Sequence, residues 1–416
     1  MMRGLLLCCC LLAAGLSCRA TDTLSIQQCK IRALEQHPAQ ARKALAASAA
    51  ALQLRNLESN RLPRVALNAV GSWQSDVFRL PIDNPLFAVP VIPRDQYKVT
   101  AEVSERIWDG GADRFLRRQY ALDQQIAAAQ ADVEAHQVLQ IVTELYGGIL
   151  LLQETTAILE AARADLQRRR EQMQALVQQG VALPTAADQA QIQVLQTEQQ
   201  LSAVQADQAA LRNVLALWLG RADSDFYLRL PDLSPAGGPA PPRPEYRLFD
   251  LQQQKTELNR EMLILRRMPR LEAFAQGGFG RPNPFNFFET GLQPFAMIGL
   301  RAAWTPFQWG NTGRDRQLLE LQSRQTDIQK AVFDRGLSAA RLRDQGAAEK
   351  FRGLLANDDA QIALQESIVQ RAEAQVQQGV LTAAEYLTQL RLLTQARITR
   401  TTHLIQAWQA AELATY

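Results

Sequence analysis

Apolar residues change their spacing along the N-terminal part of the chain. Over 23–60 they recur every three or four residues, which predicts a helix, and Pro38 predicts a break or kink near its start. Over 62–109 apolar and polar residues alternate in two runs, separated by a proline-rich segment. Each run has about ten or more residues with one apolar and one polar face, which is typical of paired β-strands. Residues 62–109 are therefore predicted to form a β-hairpin.

A long segment without proline follows the hairpin. It covers 112–179, and as a single helix it would be about 100 Å long at about 1.5 Å per residue. A helix of this length does not fit inside a compact domain, so we expect a coiled-coil-like element. Gly180 ends the long helix, and a further helix is predicted over 185–219.

The second half of the chain repeats this order of elements. A linker rich in proline and glycine covers 221–244 and separates the two halves. The elements predicted after the linker are a helix over 245–268, a β-hairpin over 270–307, a long helix over 311–378 and a helix over 380–414.

Short strings recur at a nearly constant separation. Gly110 and Gly310 each follow a tryptophan closely and are 200 residues apart. Gly180 and Gly379 each lie in the string Val-Gln-Gln-Gly-Val and are 199 residues apart. Landmarks in the same order and with the same spacing indicate a tandem duplication. The predicted structural repeats are 21–220 and 245–416.

The first 20 residues have the features of a secretory signal. Arg3 supplies a positive start, 5–16 form an apolar run too short to cross a bilayer as a helix, and a small-x-small exit ends at Ala20. We expect 1–20 to be removed by cleavage after Ala20. The alternative is a lipoprotein in which Cys18 is acylated.

Composition argues against several classes of function. Lys and Arg together number 45 and Asp and Glu 42, so the chain lacks the strong positive charge of a nucleic-acid-binding protein. After the signal only Cys29 remains, and the three histidines lie far apart, so no disulfide or metal site is expected. The basic run 168–170 is interpreted as solvated helix surface. With no nucleophile–histidine–acid order and no phosphate loop, we expect no enzyme activity, no cofactor and no nucleic-acid partner.

The four predicted strands have the length and alternation of strands that cross a membrane in a barrel. After the signal we expect no stretch apolar enough for a transmembrane helix. Four strands cannot close a barrel, and open edges are not tolerated in lipid, so the chain should form a cyclic oligomer. The alternative is that the same apolar residues form the core of a soluble sandwich. The residues predicted to face lipid are Val65, Leu67, Trp73, Val99, Val103, Ile298, Leu300 and Trp304.

These features together resemble the TolC family of outer-membrane efflux proteins, over essentially the whole mature chain. The ordered duplication behind an export signal carries most of the resemblance. The strings that match are Ile107-Trp108-Asp109-Gly110-Gly111, Glu144-Leu145-Tyr146, the helix breaks at Gly180 and Gly379, and Leu215-Ala216-Leu217-Trp218-Leu219-Gly220.

The resemblance implies an α+β membrane protein that assembles as a homotrimer. Long antiparallel, coiled-coil-like helices would form a tunnel in the periplasm of a Gram-negative cell. Four strands per protomer would contribute to a twelve-stranded barrel surrounded by outer-membrane lipid. The implied function is the exit duct of a tripartite efflux or type I secretion system, with no covalent chemistry. The implied partners are a periplasmic membrane-fusion adaptor and an inner-membrane pump of the RND, ABC or MFS type.

The resemblance also assigns residues near the helix breaks. In the family, acidic side chains narrow the periplasmic entrance of the tunnel. The matching positions here are Glu385 and Thr388, and the nearest acid in the first repeat is Asp188. Three converging Glu385 carboxylates would attract cations and raise one another's pKa. The alternative is that Glu385 is a solvated acid at a helix start.

Two further assignments concern the helix ends. Some relatives hold the entrance closed with a Tyr and an Arg, where this chain has Val376 and Leu381. We therefore expect apolar packing, rather than a polar network, to hold any closed state. The turn residues expected to contact the adaptor are Gly180, Val181, Gly379 and Val380.

A soluble periplasmic coiled-coil adaptor is the alternative function. Adaptors also combine long helices with β-regions. They usually have one helical hairpin flanked by lipoyl-like half-motifs, and this sequence has neither feature. Four strands with distinct apolar and polar faces favour the membrane barrel over the adaptor.

Overall fold

A computed structural model of the chain describes residues 22–78, 91–180, 183–231, 243–286 and 288–416. The predicted signal with Cys18, the turn residue Val181 and residues 232–242 of the predicted linker lie outside these residues. The elements in chain order are β1 (Asp22–Leu24), α1 (Ile26–Gln36), α2 (Ala39–Ser59), β2 (Arg64–Trp73), β3 (Asp95–Trp108), α3 (Ala112–Gln178), α4 (Pro184–Trp218), β4 (Phe226–Leu228), α5 (Pro244–Leu265), β5 (Arg270–Arg281), β6 (Gln293–Ala303), α6 (Asn311–Gln377) and α7 (Ala383–Leu413).

The helix expected over 23–60 is broken in two at Pro38. Pro38 has no N–H to donate and disfavours a helical conformation at the residue before it. His37 accordingly has an extended backbone, with φ −70° and ψ 130°, and ends α1. Pro38 then begins α2 at its N-cap position. The N-terminal helix starts with a capping box, in which Ser25 and Gln28 satisfy each other's backbone N–H groups.

Two helices of 67 residues each, α3 and α6, are the longest elements. Each ends just before a glycine with positive φ, 74° at Gly180 and 73° at Gly379. At the second glycine the N–H of Val380 donates to the carbonyl of Gln375 at 2.9 Å. The N–H of Gly379 donates to the carbonyl of Val376 at 3.0 Å. This pair of bonds is a Schellman motif, which requires a left-handed residue and so explains the glycine.

The chain folds into two compact units. Unit 1 lies within Met1–His37, Ala135–Pro241 and Leu337–Tyr416, and unit 2 within Pro38–Glu134 and Pro242–Gly336. Each unit therefore draws segments from both predicted repeats. The duplication itself remains a prediction, supported by the shared order of a hairpin, a long helix and a shorter helix.

Sequence periodicity missed a short parallel pair in unit 1, formed by β1 and β4. Leu24, Phe226 and Leu228 are buried in a core cluster that includes Tyr146. The hydroxyl of Tyr146 lies 3.1 Å from the carbonyl oxygen of Leu24. Burial raises the pKa of this phenol above its ordinary value. Strands of three residues are too short to carry an alternation signal.

Helix α3 contradicts one sequence expectation. It contains an 18-residue window with mean hydropathy 1.2, enough by length and composition to cross a membrane. Val142, Ile149 and Leu150 of this helix are fully buried in the core cluster of unit 1. Core packing is therefore sufficient to explain the apolar composition of this helix.

The four longer strands form one antiparallel sheet in unit 2, in the order β2-β3-β5-β6. Both predicted hairpins are present, and they join through β3 and β5. Among the described residues, strands β2 and β6 each pair on one side only, which leaves the sheet with two open edges. Unpaired backbone groups at such edges need water or another strand as a partner.

Strands β3 and β5 approach closely at Gly278, which pairs with Thr100. A Cβ at Gly278 would lie 1.9 Å from the carbonyl oxygen of Val99, a distance that no side chain can occupy. The neighbouring Gly277 is different, because a Cβ there would lie 3.7 Å from its nearest neighbour, the carbonyl oxygen of Phe295. Glycine at 278 thus permits the junction between the two hairpins.

We predict that Gly278→Ala destabilises the sheet while Gly277→Ala does not. The added methyl group at 278 must push two backbones apart, which costs about 1–3 kcal/mol in a packed structure. The free energy of unfolding in urea, measured for the purified full-length protein, compares the two variants. Equal stability of both variants would show that the close approach at Gly278 is not required.

Candidate functional site

One face of the sheet is an exposed apolar surface. The strand register places Val65 opposite Val103, Val103 opposite Ala275 and Ala275 opposite Ile298. Directly opposite residues of antiparallel strands point to the same face, so this row crosses all four strands. Val65 is 71% exposed and Ile298 is 85% exposed.

The other residues predicted to face lipid are exposed as well. They include Trp73 near one end of the sheet and Trp304 just beyond β6, where the indole N–H donates to the carbonyl of Arg267 at 3.0 Å. Soluble monomers rarely expose an apolar patch of this extent, so the face calls for an apolar environment or partner. The remaining exposed residues of the predicted set are Leu67, Val99, Val103 and Leu300.

A β-bulge at Ile107 changes which side chains reach this face. Strict alternation from Val103 would place Ile107 on it. The register instead pairs Arg106 with Glu272 and Trp108 with Leu271, leaving Ile107 without a partner residue. Trp108 therefore joins the apolar face, and no local sequence signal predicts this shift.

The opposite face of the sheet is polar and charged. Asn68 lies opposite Thr100, and Glu102 lies opposite Gln276. Arg301 reaches two carboxylates on this face, at 3.6 Å from Glu102 and 3.8 Å from Glu272. The two faces thus differ as in a wall between an apolar medium and water.

A second site lies where α3, α4, α6 and α7 pack near the helix breaks in unit 1. Leu166, Val194 and Leu390 belong to a buried apolar cluster, and Val376 and Leu381 pack against it. These last two residues were expected to contribute packing rather than polar contacts. Their side chains do so within the single chain.

A polar cluster that the sequence did not indicate lies against this apolar core. The guanidinium of Arg169 forms an ion pair with Glu373 and lies 3.9 Å from Asp165. It also covers the ring of Tyr386 at 5.4 Å. The interpretation of 168–170 as solvated surface is therefore wrong for Arg169, whose side chain is 19% exposed. Its partner Glu373 is remote in sequence, so no local pattern connects the two.

Tyr386 is the buried member of this cluster. Its hydroxyl has no hydrogen-bond partner among the described residues. Burial raises the pKa of this phenol to about 12, although the nearby Arg169 opposes the shift. The side chain therefore acts as an apolar ring that carries an unsatisfied hydroxyl.

Glu385 caps the start of α7. Its Oε2 accepts hydrogen bonds from the N–H of Thr382 at 3.1 Å and from the hydroxyl of Thr382 at 2.8 Å. Thr382 Oγ1 in turn accepts from the N–H of Glu385 at 3.2 Å, which completes a capping box. These bonds lower the pKa of the Glu385 carboxyl below its ordinary value. Glu385 thus serves as a capping acid at a helix start within the single chain.

The other two predicted gate residues are differently placed. Thr388 lies one turn further along α7 and donates its hydroxyl to the carbonyl of Ala384 at 2.9 Å. Asp188 is an exposed residue in α4, whose N-cap Leu183 offers no side-chain cap. Among the described residues, no hydrogen bond or ion pair joins Glu385, Thr388 and Asp188. The two helix starts are therefore not equivalent.

The ends of the two helix pairs expose apolar side chains. Val380 is 72% exposed and Leu183 is 73% exposed. No neighbouring atom lies within 4 Å of where a Cβ would be at Gly180 or Gly379. Leu183 was not singled out from the sequence, although its place after the Gly180 break and before Pro184 was a usable signal. These turns present small, accessible apolar surfaces.

Solved outer-membrane proteins share this arrangement of elements. The outer membrane protein VceC of Vibrio cholerae is 14% identical with a TM-score of 0.66, over 94% of each chain. The CmeC outer membrane channel of Campylobacter jejuni is 15% identical with a TM-score of 0.68, over 94% of this chain and 84% of that one. The open state of the Neisseria gonorrhoeae MtrE outer membrane channel is 16% identical with a TM-score of 0.65, over 94% of this chain and 88% of that one. No family model and no curated protein matches the sequence.

This chain has a TolC-like fold. The likeness covers both units, because it spans 94% of the sequence. It confirms the expected combination of long helices with a few strands. At identities of 14–16% it establishes the fold alone.

We predict that Arg169→Ala destabilises unit 1 and that Tyr386→Phe does not. The first change removes an ion pair and a covering cation, a loss of about 1 kcal/mol once partial exposure is allowed for. The second removes a buried hydroxyl without a partner and should be neutral or stabilising.

The helical circular dichroism signal during urea unfolding measures the stability of both variants. The matched control is Arg168→Ala, because Arg168 is 68% exposed and, among the described residues, forms an ion pair only with its helix neighbour Asp165. An equal effect at 168 and 169 would contradict the account.

We predict a pH-dependent contribution from Glu385. Its folded pKa lies below the ordinary 4.5, so the carboxylate stabilises the helix start above that pH. This contribution is lost as the pH falls through the folded pKa. Glu385→Gln keeps the capping geometry without titrating. Wild type should therefore be more stable than this variant near pH 7, and the difference should shrink as the pH falls below 4.5 and through the folded pKa.

Urea unfolding at several pH values measures the difference between these two proteins. Thr382→Ala is the control, because it removes the cap at every pH. A stability difference between wild type and Glu385→Gln that persists at low pH would contradict the capping role.

Proposed function

We propose that this chain is a protomer of a TolC-family duct in the outer membrane of a Gram-negative cell. The observation that carries the proposal is the four-stranded sheet, which has one exposed apolar face, one polar face and two open edges. This sheet occurs in a fold shared with proteins described as outer-membrane channels. Such a sheet is suited to the wall of a barrel, with lipid on one side and water on the other.

Closure of the wall is proposed to need three copies. Backbone groups in lipid must be paired, so β2 of one protomer would pair with β6 of the next. A homotrimer of four-stranded sheets gives a barrel of twelve strands, within the range of known membrane barrels. The predicted lipid contacts then fall on the outer face, and the polar face lines the lumen.

An apolar stripe on α6 supports assembly of the helices as well. Leu318, Leu321, Ile328 and Val332 are all more than half exposed. Their successive spacings of three, seven and four residues match the apolar positions of a heptad repeat, as in a coiled-coil seam. A second copy of the chain is the proposed occupant, and the joined helices would form the periplasmic tunnel.

The proposed partners act at the helix ends. An exit duct receives cargo from an inner-membrane pump, of the RND, ABC or MFS type, through a periplasmic membrane-fusion adaptor. The exposed turns at Gly180, Val181, Gly379 and Val380, with Leu183 beside them, are the proposed adaptor contacts. The system would be a tripartite efflux or type I secretion system. Export would follow from the signal, with cleavage after Ala20 or acylation of Cys18.

The periplasmic gate is proposed to involve Glu385, with Thr388 and Asp188 nearby. Three copies of Glu385 near an axis would attract cations by their summed charge. The capping box holds Oε2 of each carboxylate at the helix start, so the charge has a fixed position. The alternative function as a soluble adaptor is less well supported. In a soluble protein the apolar face of the sheet would be exposed to water, which is unfavourable for an apolar patch.

The proposed duct predicts conductance in a planar lipid bilayer. Detergent-purified full-length protein should insert and give discrete current steps, because the polar sheet faces would enclose water. A variant with lipid-face charges, Val65→Arg with Ile298→Arg, is the control for insertion, since each charge at mid-membrane costs about 2–4 kcal/mol. Wild-type protein that never conducts would contradict the proposal.

The gate proposal has a separate prediction. Glu385→Ala should raise leak conductance, and Glu385→Gln should lower cation preference while keeping the cap. Thr382→Ala breaks the cap but keeps the charge, so its cation preference should stay near wild type. The reversal potential in a salt gradient measures this preference. Unchanged conductance and selectivity in both Glu385 variants would rule out the gate.

A further inference from the structure

Four arginines gather at one end of the polar sheet face. Arg64, Arg106, Arg270 and Arg301 line a cavity of about 460 Å³, together with Glu272. The end concerned is the one opposite the loops that join the strands of each hairpin. It is near the start of α3, at the end that would face the periplasm if the proposed duct is correct.

The strand register fixes these side chains on one face. Arg106 lies opposite Glu272, and Glu272 lies opposite Arg301, so three charges form one row across three strands. Arg270 lies opposite Ala303 in the neighbouring row. Positions 64, 270, 272 and 301 alternate with the apolar residues Val65, Leu271 and Leu300, so the cluster lies on the face away from the apolar surface.

Positive charge exceeds negative charge in this cluster. Arg301 has Glu102 and Glu272 within 3.8 Å. The guanidinium of Arg106 lies 3.7 Å from Asp113, a carboxylate that also accepts from Arg61. Arg64 donates to the neutral side chain of Asn60 at 2.8 Å. Arg270 has no ion pair with any residue in the part of the chain that the structure describes.

We propose that this arginine cluster binds an oxyanion, the phosphate or carboxylate group of a solute on the polar face. Guanidinium groups present pairs of N–H donors that match two oxygens of such a group. The cavity admits a small anion, and Arg270 supplies a charge that no carboxylate offsets. Lipid head groups beside the apolar face are on the wrong side of the sheet, so a water-soluble anion is the ligand.

The role of this cluster in transport rests on the proposed duct, whereas binding does not. In a trimer three clusters would surround the inner end of the lumen. They would concentrate anionic cargo and oppose the cation preference of the Glu385 ring. In the single protomer the same residues already surround the cavity.

Inorganic pyrophosphate is the probe, titrated by calorimetry into detergent-purified full-length protein at low ionic strength. Wild type should bind it, with affinity falling as salt is added. Arg270→Gln should bind about tenfold more weakly, since one charge-assisted contact is lost. This variant breaks no ion pair, so it should fold normally.

Two further variants sharpen the test. Glu272→Gln removes a competing carboxylate and should bind pyrophosphate more tightly than wild type. Lys98→Gln is the matched control, because Lys98 is on the same face but opposite Gly280, toward the other end of the sheet. Its affinity should stay within about twofold of wild type if binding is local to the cluster.

The outcomes separate this inference from the proposed function. No binding by wild type, or equal weakening by Arg270→Gln and Lys98→Gln, would overturn the cluster as a site even if the protein conducts. Binding that depends on Arg270 and Glu272 supports the site even if no conductance is seen. Tighter binding when anionic lipid vesicles replace pyrophosphate, with the same dependence on Arg270, would show that the ligand is a lipid head group instead and would overturn the water-soluble ligand.

Discussion

The structure depends on one unmet requirement, the pairing of two open sheet edges beside an exposed apolar face. In water the apolar face would drive association, and in lipid the unpaired backbone groups of β2 and β6 would be costly. Lipid around the apolar face would remove the first penalty, and closure of the sheet with further strands would remove the second. The exposed seam on α6 has the same character, because Leu318, Leu321, Ile328 and Val332 are each more than half exposed. The proposed trimer would meet both requirements, because each protomer would pair its edge strands with the next and present its apolar face to lipid.

Much of the fold could be predicted from the sequence because its elements are long and their periods are clear. The two proline-free segments predicted α3 and α6 to within a residue, and alternation predicted both hairpins. What periodicity could not predict was contact between distant segments. The pair β1–β4 joins residues about two hundred positions apart through three residues each. The bulge at Ile107 is set by the register between β3 and β5, which a single strand does not encode.

The candidate functional residues also include some that the sequence could predict and some that it could not. The string Thr382-Ala383-Ala384-Glu385 is a readable capping box before an apolar run, so the structural role of Glu385 was accessible from sequence. The Arg169–Glu373 pair was not, because neither residue stands out from its polar helix. The arginine cluster has no local signature either, since its members come from different strands and only the register brings them to one face. Local signals predict caps and turns, whereas charged clusters across elements need the tertiary fold.

The proposed gate and the proposed anion site carry opposite charges. An acidic ring at the helix starts and a basic cluster at the inner end of the sheet would both act on ions in the lumen, with opposite sign. The electrostatic potential that acts on the cargo would then differ in sign between the two proposed sites. The capping box holds the Glu385 carboxylate at the helix start, and strand pairing holds the arginine cluster on one face of the sheet.

Electron microscopy of the detergent-purified full-length protein tests the central claim most directly. Class averages should show a long cylinder with threefold symmetry and a detergent belt at one end, where the apolar sheet faces lie outward. A small monomeric rod without a detergent belt would contradict the account. That result would mean that the sheet edges are not paired between copies, and it would favour the soluble adaptor.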